Sequence, residues 1–142
     1  MDLSYVTYGK DTQESARDAV AAVAFLENEK SLGVGIQIRF GGPEEIAASV
    51  DGPSAGTAMA IAIFALLHDK QVDNGVLITG TIGPDATIGW VGFVEEKAIA
   101  ARDWGARLLL VPQGQRVVVR GIEIVEVSDF NEAMAYVLKR ES

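Results

Sequence analysis

A serine in the run DGPSAG, at residues 51–56, is the residue of this sequence best suited to covalent chemistry. Two glycines and a proline bend the backbone around Ser54, and its small neighbours leave the hydroxyl uncovered. An apolar helix is predicted from about residue 54 to residue 69, so the serine lies where free backbone N–H groups and the helix dipole favour negative charge. That position suits a nucleophile whose attack creates an oxyanion. It equally suits a helix cap, which is the commoner role for an isolated serine.

The single histidine of the chain is poorly placed to activate this serine. Residues 52–56 match the G-x-S-x-G elbow of α/β-hydrolases, which need a histidine late in the chain. His68 follows Ser54 by 14 residues on the same predicted helix, about 21 Å away at roughly 1.5 Å per residue. We therefore exclude a Ser-His-Asp triad within one chain and interpret His68 as a surface residue.

Lysine is the known substitute for histidine, provided that desolvation or nearby positive charge lowers its pKa. Four of the five lysines lie at the ends of predicted elements or in polar surroundings, namely Lys10, Lys30, Lys70 and Lys139. Lys97 differs because it is predicted in the middle of an amphipathic helix, on the same apolar face as Phe93 and Val94. From composition alone, a lysine that keeps its ammonium in water at the rim of that face is the commoner case.

The elements that would position these residues alternate between helices and strands. Helices are predicted at residues 14–30, 54–69, 93–104 and 130–139, with Asp11 or Thr12 capping the first, Ser128 capping the last and Gly105 ending the third. Strands are predicted at residues 33–40, 75–82, 87–91, 107–111, 117–119 and 122–127, and a turn at 83–85 joins the second and third of them in a hairpin. This mixed order predicts an α+β fold rather than a doubly wound sheet.

The composition limits the classes of protein and of site that need to be considered. A chain of 142 residues, 49% hydrophobic and 23% charged, fits one domain. A net charge of −8 argues against binding nucleic acid or an anionic membrane surface. The longest apolar run, residues 58–67, has half of the roughly 20 residues that span a bilayer, so no direct membrane insertion is expected.

The absence of cysteine excludes thiolate metal sites and cysteine nucleophiles, and no metal or cofactor is expected. It is compatible with a cytoplasmic, an exported or a membrane-tethered domain. No G-x-x-x-x-G-K-[ST] motif occurs, so the chain is not itself a P-loop ATPase.

Several linked motifs resemble the proteolytic domain of Lon proteases. They are the run DGPSAG with its apolar helix, the run Ile78-Thr79-Gly80, and Val91-Gly92 separated by four residues from Lys97. The spacings of 25 residues from Ser54 to Thr79 and 43 residues from Ser54 to Lys97 match the family without a gap. The similarity is strong over residues 49–112 and looser in the flanks. The runs TGTIGPDATIG and VPQGQ further resemble Lon-like serine peptidases that occur without an ATPase, especially in archaea.

This resemblance implies a single Lon-type domain over residues 1–142, standing alone or excised from a longer protein, with mixed sheets and packed helices. It implies a serine endopeptidase that cleaves unfolded or flexible polypeptides through an acyl-enzyme, without ATP. Ser54 would be the nucleophile and Lys97 the general base, while Thr79 would orient the lysine ammonium. A homo-oligomer, as a six-membered ring, is expected from the resemblance only.

The loop around the serine would supply the remaining groups. Backbone N–H groups of the loop that contains Gly52, Pro53 and Ala55 would bind the oxyanion, with none from the proline because it has no N–H. Asp51 would gate or order this loop, and an ordinary turn or cap residue is an equal alternative for it.

The sequence also departs from the family and leaves alternatives open. Phe93 replaces the usual second glycine, and Glu95 and Glu96 flank Lys97, although neighbours on a helix point about 100° apart and both are expected in solvent. One alternative is a catalytically degenerate Lon-like domain that serves as a binding or oligomerisation module. Another is a phosphate-binding enzyme that uses residues 51–56 as an anion nest, which the acidic balance and the lack of a nearby lysine disfavour.

Overall fold

The computed structural model describes residues 7–8, 10–28, 49–50 and 56–139. The helices within these residues are α1 (Lys10–Leu26), α2 (Gly56–Leu67), α3 (Val94–Trp104) and α4 (Phe130–Val137). The strands are β1 (Thr7–Tyr8), β2 (Ser49–Val50), β3 (Val76–Ile78), β4 (Thr81–Ile82), β5 (Ile88–Gly89), β6 (Leu108–Pro112) and β7 (Glu123–Val127). None of the helices in the described part has both the length and the apolar character needed to cross a membrane.

The strands form small sheets of both kinds. A parallel sheet has the order β3-β6-β7, with Val76 opposite Leu108 and Leu108 opposite Glu123. The parallel pair β1-β2 and the antiparallel hairpin β4-β5 complete the described strands. This mixed arrangement of strands with packed helices confirms the predicted fold class. The hairpin is also confirmed, and its turn is closed by the Ala86 N–H, which donates to the Gly83 carbonyl at 2.9 Å.

The central strand β6 is buried along its whole length because helices cover both faces of the parallel sheet. Successive side chains of a strand point to opposite faces. Leu108 and Leu110 therefore join a large apolar cluster with α1, α2 and α4. Leu109 and Val111 join a smaller cluster with Val94 and Ala98 of α3. The two helices expected to flank the site thus lie on opposite faces of one sheet.

Three details of the predicted elements are wrong. Helix α1 begins at Lys10, so Asp11 and Thr12 lie inside it and do not cap it. Residues 117–119 form no strand, because only Val117 and Val119 pack against the smaller apolar cluster as part of a loop, and Val118 between them is 91% exposed. Asp129 rather than Ser128 caps α4, since its carboxylate accepts the Glu132 N–H at 2.9 Å.

The predicted end of α3 agrees with the structure, whereas one predicted strand is divided in two. Gly105 ends α3 with φ 110°, and its N–H donates to the carbonyls of Ala101 and Arg102. The strand predicted at 75–82 contains two strands, β3 and β4, which are separated by Thr79 and Gly80. The strand predicted at 33–40 lies outside the described residues.

Candidate active site

The predicted site residues fall into two groups. Lys97 and Thr79 are described by the structure, whereas Asp51, Gly52, Pro53, Ser54 and Ala55 lie outside the described residues. Helix α2 begins at Gly56, two residues after the serine. The start of this helix is therefore the structural landmark next to the predicted nucleophile.

Two hydrogen bonds attach the start of α2 to the link between β3 and β4. The backbone N–H of Thr57 donates to the Gly80 carbonyl at 3.2 Å. The Thr57 hydroxyl, which is fully buried, donates to the Thr81 carbonyl at 3.2 Å. A first-turn N–H has no partner inside its own helix, so the Gly80 carbonyl of the link satisfies it. The beginning of α2 is thus held directly beside Thr79 and Gly80.

Glycine is required on both sides of this contact. A Cβ added at Gly56 would lie 2.8 Å from Cγ2 of Ile82. A Cβ added at Gly80 would lie 2.8 Å from Cγ2 of Ile88 and 3.1 Å from the Thr57 hydroxyl oxygen. Real Cβ atoms do not approach other heavy atoms so closely, so the helix and the link approach each other because neither glycine has a side chain.

Thr79 is a buried polar residue directly after β3. Its backbone N–H donates to the Leu110 carbonyl at 3.0 Å, which extends the contact between β3 and the central strand. Thr79 therefore lies at the carboxyl end of a parallel strand, where open α/β sheets commonly bind their ligands. Its neighbour Gly80 carries the contact with α2, so Thr79 lies between the start of that helix and β6.

Lys97 lies on α3, on the other side of the same sheet. Val94, Ala98 and Ala101 form the buried stripe of α3, and Lys97 is half-buried at its edge. This burial lowers the pKa of the Lys97 ammonium below its ordinary value, because a charged group loses hydration there. Glu95 and Glu96 are exposed, as expected from their positions on the helix.

The residue that precedes α3 has an unusual backbone. Phe93 has φ 58° and ψ 41°, and its side chain makes no capping hydrogen bond. This left-handed conformation costs about 1–2 kcal/mol in a residue with a Cβ. The sequence placed Phe93 on a shared apolar face with Lys97, but the structure shows it 79% exposed. The Lys97 N–H donates to the Phe93 carbonyl at 3.0 Å, so the two residues are one helical turn apart.

A glutamine that the sequence analysis did not single out fixes the segment before α3. The Gln115 carboxamide accepts the Val91 N–H at 2.9 Å and donates to the Val91 carbonyl at 2.7 Å. The Trp90 indole N–H donates to the Gln113 carbonyl at 3.1 Å. The loop after β6 therefore holds the start of the lysine helix. A glutamine in a loop has no periodicity, so no signal in the sequence indicated this contact.

His68 is confirmed as a surface residue at the end of α2. Its ring lies 4.3 Å from that of Phe64, and its Nε2 atom contacts the Glu27 carboxylate. Within the described ranges, no three or more His, Asp or Glu side chains cluster in a way that could hold a metal ion.

Fold and site together define a mixed α/β domain in which the start of α2 meets the link that contains the buried Thr79, and the half-buried Lys97 lies on the helix of the opposite sheet face. Residues 12–138 match the family described as the Lon protease (S16) C-terminal proteolytic domain. This chain belongs to that family, and the resemblance inferred from its motifs is confirmed.

Individual relatives agree with this assignment. Lon protease 2 of Bacillus subtilis is 38% identical over 93 residues, which cover 63% of this chain and 17% of that protein. The peroxisomal Lon protease homolog 2 of Eremothecium gossypii is 34% identical over 117 residues, or 82% of this chain and 10% of that protein. The Lon protease of Syntrophus aciditrophicus is 29% identical over 148 residues, which cover 94% of this chain and 18% of that protein. The chain thus spans less than a fifth of the length of these relatives.

Proposed function

We propose that this chain is a serine endopeptidase that hydrolyses unfolded or flexible polypeptides, with Ser54 as nucleophile and Lys97 as general base. Membership of the Lon proteolytic family supports the reaction class. The observation that carries the assignment of the base is the half-buried position of Lys97, where desolvation lowers its pKa. A lysine can accept a proton near neutral pH only when its pKa is lowered in this way.

In the first half of the proposed reaction, the neutral Lys97 amine removes the proton from the Ser54 hydroxyl. The serine oxygen forms a bond to the scissile carbonyl carbon, and the carbonyl oxygen becomes an oxyanion. Collapse of this intermediate breaks the carbon–nitrogen bond, and the Lys97 ammonium delivers its proton to the leaving amine. The product is an acyl ester on Ser54.

In the second half, Lys97 accepts a proton from a water molecule that attacks the ester. The ester bond breaks, the acid product leaves, and the Lys97 ammonium returns its proton to the Ser54 oxygen. Thr79 is the candidate for orienting the lysine, because it is buried beside the start of α2. The loop of Gly52, Pro53 and Ala55 would bind the oxyanion, and Asp51 would order that loop.

A pH profile tests the role of Lys97. The pKa of Lys97 is lowered by desolvation, so the reactive neutral amine becomes populated at a lower pH than for an exposed lysine. We expect kcat/KM to rise with pH and to reach a plateau at a pH lower than the pKa of an exposed lysine. A profile that keeps rising through the titration range of exposed lysines would contradict this assignment.

Degradation of casein tests the proposed function as a whole. We expect the wild type to cleave casein without ATP. Removal of the general base in Lys97→Met should reduce the rate of cleavage about 10²–10⁴-fold. Ser54→Ala should be inactive, and Lys139→Met, which removes an exposed lysine from the chain terminus, is the matched control. Equal turnover by the wild type and Ser54→Ala would reject the peptidase and favour a degenerate domain that only binds or oligomerises.

We propose cleavage without ATP for residues 1–142, which themselves contain no P-loop motif. Addition of ATP should leave the rate of casein cleavage unchanged, and strong stimulation would contradict this part of the proposal.

We further propose that residues 1–142 form one Lon-type domain that assembles as a homo-oligomer, with a six-membered ring as the expected form. The match over residues 12–138 supports the single domain. Light scattering at high protein concentration should give a mass well above 15.1 kDa. A monomeric mass would contradict the assembly without affecting the proposed chemistry.

A further inference from the structure

The loop that follows β6 is bound by neighbours on two sides. It comprises residues 113–116, and we call it the bridging loop. The Gln113 N–H donates to the Val127 carbonyl of β7 at 3.0 Å. The Gln113 carbonyl accepts the Trp90 indole N–H at 3.1 Å. The bridging loop therefore connects the end of β7 with the segment that precedes the lysine helix α3.

A carboxylate of β7 holds the backbone of the bridging loop. The Oε1 atom of Glu126 accepts the Gly114 N–H at 3.2 Å and the Arg116 N–H at 3.3 Å. Hydrogen bonds to a carboxylate are charge-assisted and stronger than those to a neutral acceptor. Glu126 lies opposite Val111 in the sheet. Because side chains alternate along a strand, Glu126 shares the face of Ile124, which is the face that α3 covers.

Gln115 lies between the two residues that Glu126 binds, and its side chain reaches the segment before α3. Its carboxamide accepts the Val91 N–H at 2.9 Å and donates to the Val91 carbonyl at 2.7 Å. The loop also lies closely against this segment, since a Cβ added at Gly114 would be 3.3 Å from the Trp90 ring. The hydrogen bonds that hold the bridging loop therefore also hold Val91.

The position of Val91 affects the lysine through the first turn of α3. Val91 packs against the smaller apolar cluster, which also contains Val94 and Ala98. The Lys97 N–H donates to the Phe93 carbonyl at 3.0 Å, so the lysine belongs to that first turn. Lys97 is half-buried at the edge of the apolar stripe, and the loss of hydration there lowers its pKa. A small outward movement of the turn would return the ammonium to water.

We infer that Glu126 is a positioning residue for Lys97, which acts through the bridging loop and Gln115 and keeps the lysine half-buried. This inference rests on the proposed function for its role in catalysis, because Lys97 is the proposed general base. Glu123 lies exposed on the same strand, and within the described part of the chain its side chain makes no hydrogen bond. Glu123→Ala is therefore a matched control that removes the same charge from the same strand.

The first test measures the titration of Lys97 without turnover. NMR follows isotope-labelled lysine side chains over a series of pH values, and the Lys97 signal is identified by its loss in Lys97→Met. We expect the titration midpoint of Lys97 to rise by about one pH unit in Glu126→Ala, because the ammonium regains hydration. Loss of a carboxylate by itself would lower the midpoint of a nearby ammonium, so the sign of the shift separates positioning from charge. Glu126→Gln keeps an oxygen that accepts N–H bonds and should retain most of the wild-type midpoint, and Glu123→Ala should leave it unchanged.

The second test measures the pH dependence of casein cleavage in the same variants. At a pH below the wild-type midpoint, a rise of about one pH unit leaves about tenfold less neutral amine. We therefore expect kcat to fall about tenfold in Glu126→Ala, with little change in KM. A merely structural role would reduce the amount of folded enzyme without moving the pH midpoint of kcat. If Glu126 acts through the bridging loop, adding Glu126→Ala to Gln115→Leu should reduce kcat no further, and additive losses would contradict this route.

The outcomes separate this inference from the proposed function. If the wild type cleaves casein but Glu126→Ala leaves the Lys97 midpoint unchanged or lowers it, the inference fails and the peptidase proposal stands. If the wild type does not cleave but Glu126→Ala raises the Lys97 midpoint, the peptidase proposal fails and the positioning of the lysine stands. Thermal unfolding provides the control for folding. Glu126→Thr, with a shorter β-branched side chain suited to a strand, gives a second variant if Glu126→Ala unfolds.

Discussion

The two faces of the central parallel sheet are built differently. One face is covered by α1, α2 and α4, and its apolar cluster includes the fully buried Ile61, Leu110 and Phe130. Among the described residues, α3 is the helix that covers the other face, where Val117 and Val119 also pack, and the cluster there is smaller. The proposed nucleophile adjoins a helix of the first face, whereas the proposed base lies on the helix of the second.

This difference indicates how each half of the site is positioned. Apolar packing along most of its length fixes α2, and the Thr57 bonds fix its start. A short buried stripe fixes α3 together with polar contacts. These contacts are the hydrogen bonds of the Gln115 carboxamide to the Val91 backbone and the bond from Arg102 to the Arg120 carbonyl. We expect mutations of the first face to reduce stability most, and mutations around α3 to affect activity at a smaller cost in stability.

The largest expected loss of stability is that of Phe130→Ala. Phe130 is fully buried on the first face, and its ring packs edge-on against Phe64 with centroids 5.9 Å apart. Removing a buried phenylalanine costs about 3–5 kcal/mol of the free energy of unfolding. Urea unfolding measures this loss. A cost below those of Leu110→Ala and Leu109→Ala would contradict the assignment of the main core to this face.

Adjacent leucines of β6 compare the two faces directly. Leu110 points to the first face and Leu109 to the second. Each leucine-to-alanine change should lower the free energy of unfolding by about 2–5 kcal/mol. Leu110→Ala should lie near the upper end of this range. Leu109→Ala should lie near the lower end, because the thinner layer formed by α3 can relax into the cavity. The same urea measurement applies. A larger cost for Leu109→Ala would reverse the comparison.

Gln115→Leu tests the polar contacts that hold α3. The change removes the hydrogen-bond partners of the Val91 N–H and carbonyl. This loss should lower the free energy of unfolding by about 1–3 kcal/mol. We expect casein cleavage to fall by a larger factor than stability alone explains, because the start of the lysine helix loses its anchor. The control is Gln113→Leu, since Trp90 is bonded to the backbone carbonyl of Gln113 and not to its side chain. Equal activity of Gln115→Leu and the control would show that this anchor does not position Lys97.

The smallest expected effect lies at the opposite end of the sheet from the site. Arg107, just before β6, bonds the carboxylate of Asp73, just before β3. The hydrogen bonds from Arg107 and from the Gly75 backbone lower the pKa of Asp73 from 3.8 to about 2. A carboxyl group with a lowered folded-state pKa stabilises the fold above its unfolded pKa and loses that contribution as the pH falls.

We therefore expect the wild type to lose part of its stability between pH 3.8 and about pH 2, where Asp73 takes up its proton. Asp73→Asn should lack this part of the pH dependence, and Asp103→Asn serves as a control with another exposed aspartate. Thermal unfolding from pH 5 to pH 2 measures the difference. An identical pH dependence in Asp73→Asn and the wild type would show that this ion pair does not act on stability.

Local patterns in the sequence predicted the elements that have strong periodicity or clear stop signals. The continuous apolar run of β6, the hairpin turn at 83–85 and the glycine that ends α3 are examples. Linked motif spacing predicted the family, and the apolar neighbours of Lys97 predicted its partial burial.

The remaining features depend on contacts between distant residues. The exposure of Phe93 and the hydrogen bonds from Gln115 to Val91 depend on how the loop after β6 contacts the segment before α3. No local sequence pattern predicts such a contact. The start of α1 differs from the prediction because Asp11 and Thr12 are capping types that here lie within a longer helix. Whether Ser54 meets Lys97 is likewise a tertiary contact, and it stays a prediction.

The most direct test of the Ser54–Lys97 dyad is the rate at which a fluorophosphonate, a reagent for activated serines, modifies the protein. Mass spectrometry locates the modified residue and gives the rate in the wild type and in Lys97→Met. We predict modification at Ser54 in the wild type, at a rate that falls about 10²–10⁴-fold when the general base is removed. Equal rates in the two proteins, or modification at another serine, would contradict the dyad.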